Sequence, residues 1–223
     1  VDMNVSGMAV FPLDNPHIFS RVNHLIENQM AVITFNSKVE GIHHLSFIGQ
    51  NHYKGGRTAA SLISKICPPN TNIGVIISSH NLSCHQDRLR GFEDKLAELN
   101  SDFKILDIQE NQDRKDDAFR ITLEYCNNYP ELGAIYLTSG GITGVASALE
   151  IAEKTQQIKV ICHDITTDTV PLLKKGVVDF ALGQSPVLQG YQLVKTLFEY
   201  LVKNICPPDN IEIPITIATD ESL

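Results

Sequence analysis

Apolar residues recur along this chain with two different periods. Short runs rich in β-branched residues, bounded by Gly, Pro, Asn, Asp and Ser, occupy positions 8–11, 31–35, 45–48, 73–78, 103–108, 134–137, 159–162, 178–182 and 211–217. Their lengths and boundaries are those of β-strands. Between most of them lie longer stretches in which apolar positions return every three or four residues, the period of an α-helix with one buried face. Strands that read as nearly continuous apolar runs are covered on both sides, so the alternation predicts an α/β chain with parallel sheets flanked by helices.

The helices have legible ends. Asp14-Asn15-Pro16 offers a cap followed by proline in the first turn, and Ile18, Val22, Leu25 and Ile26 then share one face. Ala59, Leu62, Ile63 and Ile66 make a second stripe, which Pro68-Pro69 terminates. Positions 187–202 place Leu193, Leu197 and Leu201 on one side, a pattern of core packing, and Cys206-Pro-Pro-Asp-Asn210 breaks the chain before a single last strand at 211–217. The polar stretch 109–117 follows a strand and reads as an exposed loop entering a helix.

Composition narrows the classes. A chain of 223 residues, 43% of them hydrophobic, buries a substantial core as one large domain or two lobes. Its formal charge of −8 excludes duplex binding by these residues alone, because phosphate contacts need a local surplus of Lys and Arg. No apolar run reaches the roughly 20 residues needed to cross a bilayer, so no membrane partner is expected. The five cysteines (Cys67, Cys84, Cys126, Cys162 and Cys206) are widely spaced and odd in number. They read as reduced thiols and favour a cytoplasmic location.

In a parallel sheet the loops leaving the carboxyl ends of the strands converge on the ligand crevice. Those ends carry Asn36-Ser37, Ser78-Ser79-His80-Asn81, Thr138-Ser139-Gly140-Gly141, His163-Asp164 and Gln184-Ser185. Nearly all are neutral hydrogen-bonding groups. Arg88 is either a solvated cation at a helix start or a planar fork for two adjacent hydroxyls, with Asp164 accepting from the opposite side and Gln184 both donating and accepting. Three sharper chemistries fare worse. Ser139-Gly-Gly-Ile-Thr-Gly144 resembles a phosphate-cradling turn, with Asp164 at the distance of a ribose-binding acid, but its glycines are spaced GGxxG and not GxGxxG. Cys162, His163 and Asp164 are the residue types of a catalytic triad, yet strand neighbours point to opposite faces. His43, His44, His80 and His85 match no zinc spacing and read as solvated or cap-forming. The expected site therefore binds without catalysing, with no catalytic residue, no metal and no cofactor.

The segments Phe47-Ile-Gly-Gln-Asn-His-Tyr-Lys-Gly-Gly-Arg-Thr-Ala-Ala60, Arg88-Leu-Arg-Gly-Phe92 and Gln184-Ser-Pro-Val-Leu-Gln-Gly-Tyr191, taken together, carry a family likeness. The chain resembles the effector-binding domain of the LacI family of transcription regulators, which shares its type I, two-lobed fold with periplasmic sugar-binding proteins. The resemblance implies two α/β lobes joined by crossing strands, with a sugar-like ligand in the cleft between them. It assigns residues 1–50 and 185–206 to an N-terminal lobe, and 51–184 with 207–223 to a C-terminal lobe and hinge return. Residues 5–12 resemble the family's second strand, so the resemblance leads us to expect the family's first β-α unit to lie outside this sequence and the N-terminal lobe to be incomplete within it. By the same likeness Arg88, Asp164 and Gln184 bind the ligand, joined by Asn36 (where relatives carry an acid); Ser139 and Asn81, from their place at strand ends, complete the expected ligand-binding set. Ser139-Gly140 stands where many relatives have Asn-Asp, and no aromatic is found near Asp113, where one often stacks on the sugar. The implied partners are a sugar-like small-molecule effector, DNA through a headpiece outside this chain, and a second subunit in a homodimer; with Arg88 the lone cation of the expected site, a neutral sugar suits it better than a phosphosugar. The alternative is an extracytoplasmic sugar-binding protein of an ABC transporter or sensor.

Overall fold

A computed structural model describes residues 5–99 and 102–223; residues 1–4, at the head of the expected N-terminal lobe, lie outside the described residues. The chain divides into two compact units, one of residues 1–51, 81–84 and 185–214, the other of 52–80, 85–184 and 215–223. This division differs from the expected one in placing residue 51, the short piece 81–84 and 207–214 with the first unit.

The first unit holds four parallel strands in the order β1 (Gly7–Val10), β2 (Ala31–Phe35), β3 (Ser46–Gly49) and β9 (Asn210–Glu212). Helix α1 (Pro16–Glu27) covers one face and helix α7 (Pro186–Lys203) the other. Successive residues of β2 show why the run is apolar throughout: Val32 packs with Val22 on the α1 side, and Ile33 with Ile48 and Leu193 on the α7 side. Asn15 caps α1 as expected, its Oδ1 accepting from His17 N at 2.9 Å. Helix α7 departs from expectation. Leu193 and Leu197 face the sheet, but Leu201 is 41% exposed, and Val187, Tyr191, Val194 and Phe198 form a second, outward apolar stripe.

The second unit holds six strands in the order β10 (Thr216–Ala218), β8 (Phe180–Gly183), β7 (Lys159–His163), β6 (Leu132–Leu137), β4 (Asn72–Ile77) and β5 (Lys104–Glu110). All pairings are parallel except β10 with β8. Helices α2 (His52–Ile66) and α3 (Ser83–Glu98) cover one face. Helices α4 (Lys115–Asn128), α5 (Ile142–Ile151) and α6 (Thr169–Lys174) cover the other. The two-residue alternation again sorts the strands: Ala134 and Tyr136 face α2 and α3, whereas Ile135 and Leu137 face α4 and α5.

The single last strand expected at 211–217 is two strands in two sheets. Pro214 has no N–H to donate to a ladder, so β9 ends before it and β10 begins after it. The Pro214 carbonyl accepts instead from Gln50 Nε2 at 2.9 Å.

Glycines set the helix packing of the second unit. A Cβ on Gly56 would lie 1.8 Å from the carbonyl oxygen of Arg88, and one on Gly91 2.0 Å from that of Tyr53. Helices α2 and α3 thus cross with their backbones in contact. Gly144 does the same for α5 against α4, its Cβ position 2.0 Å from Lys115 O.

Candidate functional site

The carboxyl ends of β4 to β8 bring the second unit's polar residues together. At the ends of β7 and β8, Gln184 Nε2 donates to Asp164 Oδ1 at 2.7 Å. Asp164 adopts the left-handed region, φ +71°, which turns the chain out of β7 while its N–H still bonds to Leu182 O at 2.9 Å. Its other carboxylate oxygen remains available to accept. Asp164 and Ser139 both line a cavity of about 350 Å³, with Asp113, Lys115, Thr143 and Asp168 around it.

Arg88 is not at a helix start and not solvated: it lies in the second turn of α3 and is 4% exposed. Its Nη1 donates to Thr138 O at 2.8 Å, and the Thr138 hydroxyl bonds His85 Nδ1 at 2.9 Å. Arg88 Nε is buried with no hydrogen-bond partner among the described residues. Asn36, also left-handed at φ +65°, and Asn81 belong to the first unit, at the end of β2 and in the turn before α3.

His85 is buried and not solvated, a correction to the sequence reading. Burial, reinforced by the Arg88 charge, pushes its pKa down to about 4. His163 is held well below the ordinary value by burial first, then by Arg88, His52 and His85. Both imidazoles are neutral, and His163 Nε2 pairs with the Tyr136 hydroxyl at 2.8 Å.

The triad reading fails on geometry. Cys162 packs among the residues facing α4 and α5, whereas His163 bonds Tyr136 on the α2 and α3 side. Burial raises the Cys162 thiol's pKa, which makes it a poor nucleophile. The GGxxG turn is likewise spent on packing, with Gly144 against α4 and Gly141 (φ +98°) capping α5. Among the described residues no group of three or more His, Cys, Asp or Glu side chains could hold a metal ion. The described cysteines form no disulfide, and four of the five are buried. Among the described residues no helix is long and apolar enough to cross a membrane.

One part of the site lay hidden in the polar stretch 109–117. Asn111 is fully buried, and its Nδ2 donates to Gly140 O at 2.7 Å. Asp113 accepts from Ser78 Oγ at 2.6 Å and from Gly140 N at 2.8 Å. The loop is therefore a knot tying the ends of β4, β5 and β6, held by left-handed Gln112 and Asp113. The Asn and Asp immediately after an apolar strand were the available signal.

The model of the family described as periplasmic binding protein domain matches residues 1–204. The chain belongs to this family. The D-ribose/D-allose-binding protein of Pseudomonas aeruginosa is 20% identical over 96% of this chain and 70% of its own length. The xylose/arabinose-binding protein XylF of Sulfolobus acidocaldarius is 23% identical over 79% of this chain, which spans only 43% of that protein. Among solved structures, GanP, a glucose-galactose binding protein from Geobacillus stearothermophilus, superposes with a TM-score of 0.91 at 22% identity, covering 99% of this chain and 78% of GanP. That agreement establishes the two-lobed α/β fold of the periplasmic binding protein type.

Proposed function

We propose that this chain binds a neutral sugar or related polyol and releases it unchanged, as the ligand-binding domain of a transport or sensory system outside the cytoplasm. The observation that carries the reading is the Asp164–Gln184 pair, with Asp164 lining a polar cavity and next in sequence to His163, on which the charge of the buried Arg88 guanidinium acts; Arg88 Nε keeps a free N–H. An acceptor on one side and a planar donor on the other suit the paired hydroxyls of a sugar ring. The names of the two curated relatives, both binding proteins for aldoses, support the same ligand class. The inert Cys162 and the misaligned His163 offer no nucleophile and base aligned for catalysis at this strand end.

A second reading keeps one observation in its favour. Unpaired thiols are uncommon in oxidising compartments, and all five cysteines here are free. That fits the effector domain of a cytoplasmic, dimeric LacI-type regulator acting on DNA through a headpiece outside this chain. Cell fractionation of the native protein separates the two readings.

The binding reading is tested with a panel of pentoses, hexoses and their phosphates, following thermal shift and recovering the ligand by mass spectrometry. At least one neutral sugar raises the melting temperature and is recovered intact. Stabilisation by phosphosugars alone overturns the neutral-sugar assignment, and conversion of the stabilising sugar overturns the binding-only reading.

A further inference from the structure

The second unit carries another concavity, away from the strand ends and unrelated to sugar binding. A groove of about 470 Å³ is lined by four cations, Lys54, Arg57, Lys65 and Lys95, and by no carboxylate. Leu62, Ile215 and Ile217 form its apolar part. Lys54, Arg57, Thr58, Ser61, Leu62 and Lys65 fall on one face of α2, at successive i, i+3 and i+4 steps. Glu98 partly offsets this charge, binding Arg57 through two contacts of 2.7 Å and Lys95 at 3.4 Å. In a chain of net charge −8, a concentration of like charge on one helix face is unfavourable unless something anionic meets it.

We propose that this groove docks an extended segment of a partner protein with alternating acidic and apolar side chains. The cations meet the carboxylates, and Leu62, Ile215 and Ile217 take the apolar residues between them. Ile217, 43% exposed, lies on β10, the end strand of the six-stranded sheet, whose outer side pairs with no strand among the described residues. An edge of this kind accepts an added strand, whose alternate side chains then fall on one face. A nucleic acid fits less well, because no aromatic ring lines the groove to stack on a base and the chain's net charge repels a polyanion. A membrane surface fits less well because the apolar residues sit in a concavity.

The test uses a short fluorescein-labelled peptide of alternating aspartate and valine, followed by anisotropy against the whole chain. Saturable binding that weakens as salt rises is expected, and the peptide with lysine in place of aspartate does not bind. Lys65→Glu weakens binding about tenfold, the scale of turning one partly exposed attraction into a repulsion. Ile217→Thr weakens it while keeping strand propensity, and Lys54→Glu repeats the charge test should Lys65→Glu unfold, as read by circular dichroism. Sugar-induced thermal shifts stay unchanged in all three variants. Absence of peptide binding, equal binding by the folded charge-reversed variants, or tighter binding of oligo-deoxythymidine or phosphatidylglycerol vesicles overturns the proposal.

Discussion

Arg88 shows how far one residue's surroundings alter its meaning. On a helix surface it would be one solvated cation among many, but here the fold removes it from water and uses Nη1 on the Thr138 carbonyl. The remaining donors are held without the rotamer entropy that a surface arginine loses on binding. For the proposed sugar site, Arg88→Ala is expected to weaken binding by roughly 2–4 kcal/mol, the cost of leaving a ligand's polar groups unpaired in a desolvated site. Calorimetry with whichever neutral sugar stabilises the protein measures this, and unchanged affinity in a folded variant removes Arg88 from the site. Arg88→Lys retains the charge but not the planar fork, so it should recover only part of the loss.

At the scale of elements, the packing of helices on the second unit's sheet rests on positions where a single methyl group does not fit. Gly56 faces the Arg88 carbonyl, a backbone atom fixed within α3, so the clash in Gly56→Ala can be relieved only by moving a helix. We expect that substitution to cost about 3 kcal/mol in urea unfolding. It should also weaken sugar binding, because α3 carries Arg88. Gly190 is the internal control: it is also helical, but a Cβ there meets nothing within 4 Å. Gly190→Ala should therefore stabilise by about 0.5–1 kcal/mol, through the lower backbone entropy of the unfolded chain. Equal effects at the two positions would show that helix propensity, and not the α2 and α3 crossing, decides the outcome.

For the whole molecule, the buried histidines tie stability to pH. His85 titrates at about 4 when folded against an ordinary value of 6.5, and His163 also lies well below that value. Between these limits the unfolded chain binds more protons than the folded one, so stability rises with pH. Acidification from pH 6.5 therefore lowers stability progressively, down to about pH 4 for His85 and further for His163. The slope approaches about 1.4 kcal/mol per pH unit for each histidine that remains neutral in the fold. Urea midpoints measured across this window should fall with pH, and His85→Gln should flatten the dependence; a steeper or unchanged slope in that variant would assign the effect elsewhere.

The order of strands and helices was legible in the chain because it depends on local periodicity. Apolar runs such as 31–35 coincide with strands, and Asn15-Pro16 opens α1 through a cap made within two residues. Asp164 and Gln184 were legible as candidates for the same reason, since each directly follows a strand. What the local pattern could not supply was how distant segments meet. Pro214 splits one apolar run between two sheets, a division that depends on which strand each half finds. Asn111 and Asp113 read as solvated loop until Ser78 and Gly140, from two other strand ends, arrive to be bonded. Gly56 and Gly91 have a low intrinsic helix propensity, and only the close approach of α2 and α3 gives their missing side chains a purpose. His85 and His163 have pKa values lowered from the ordinary one only because folding buries them beside Arg88. Periodicity and capping are properties of neighbours in sequence, whereas burial, close approach and charge proximity are properties of neighbours in space, and only the tertiary structure brings those together.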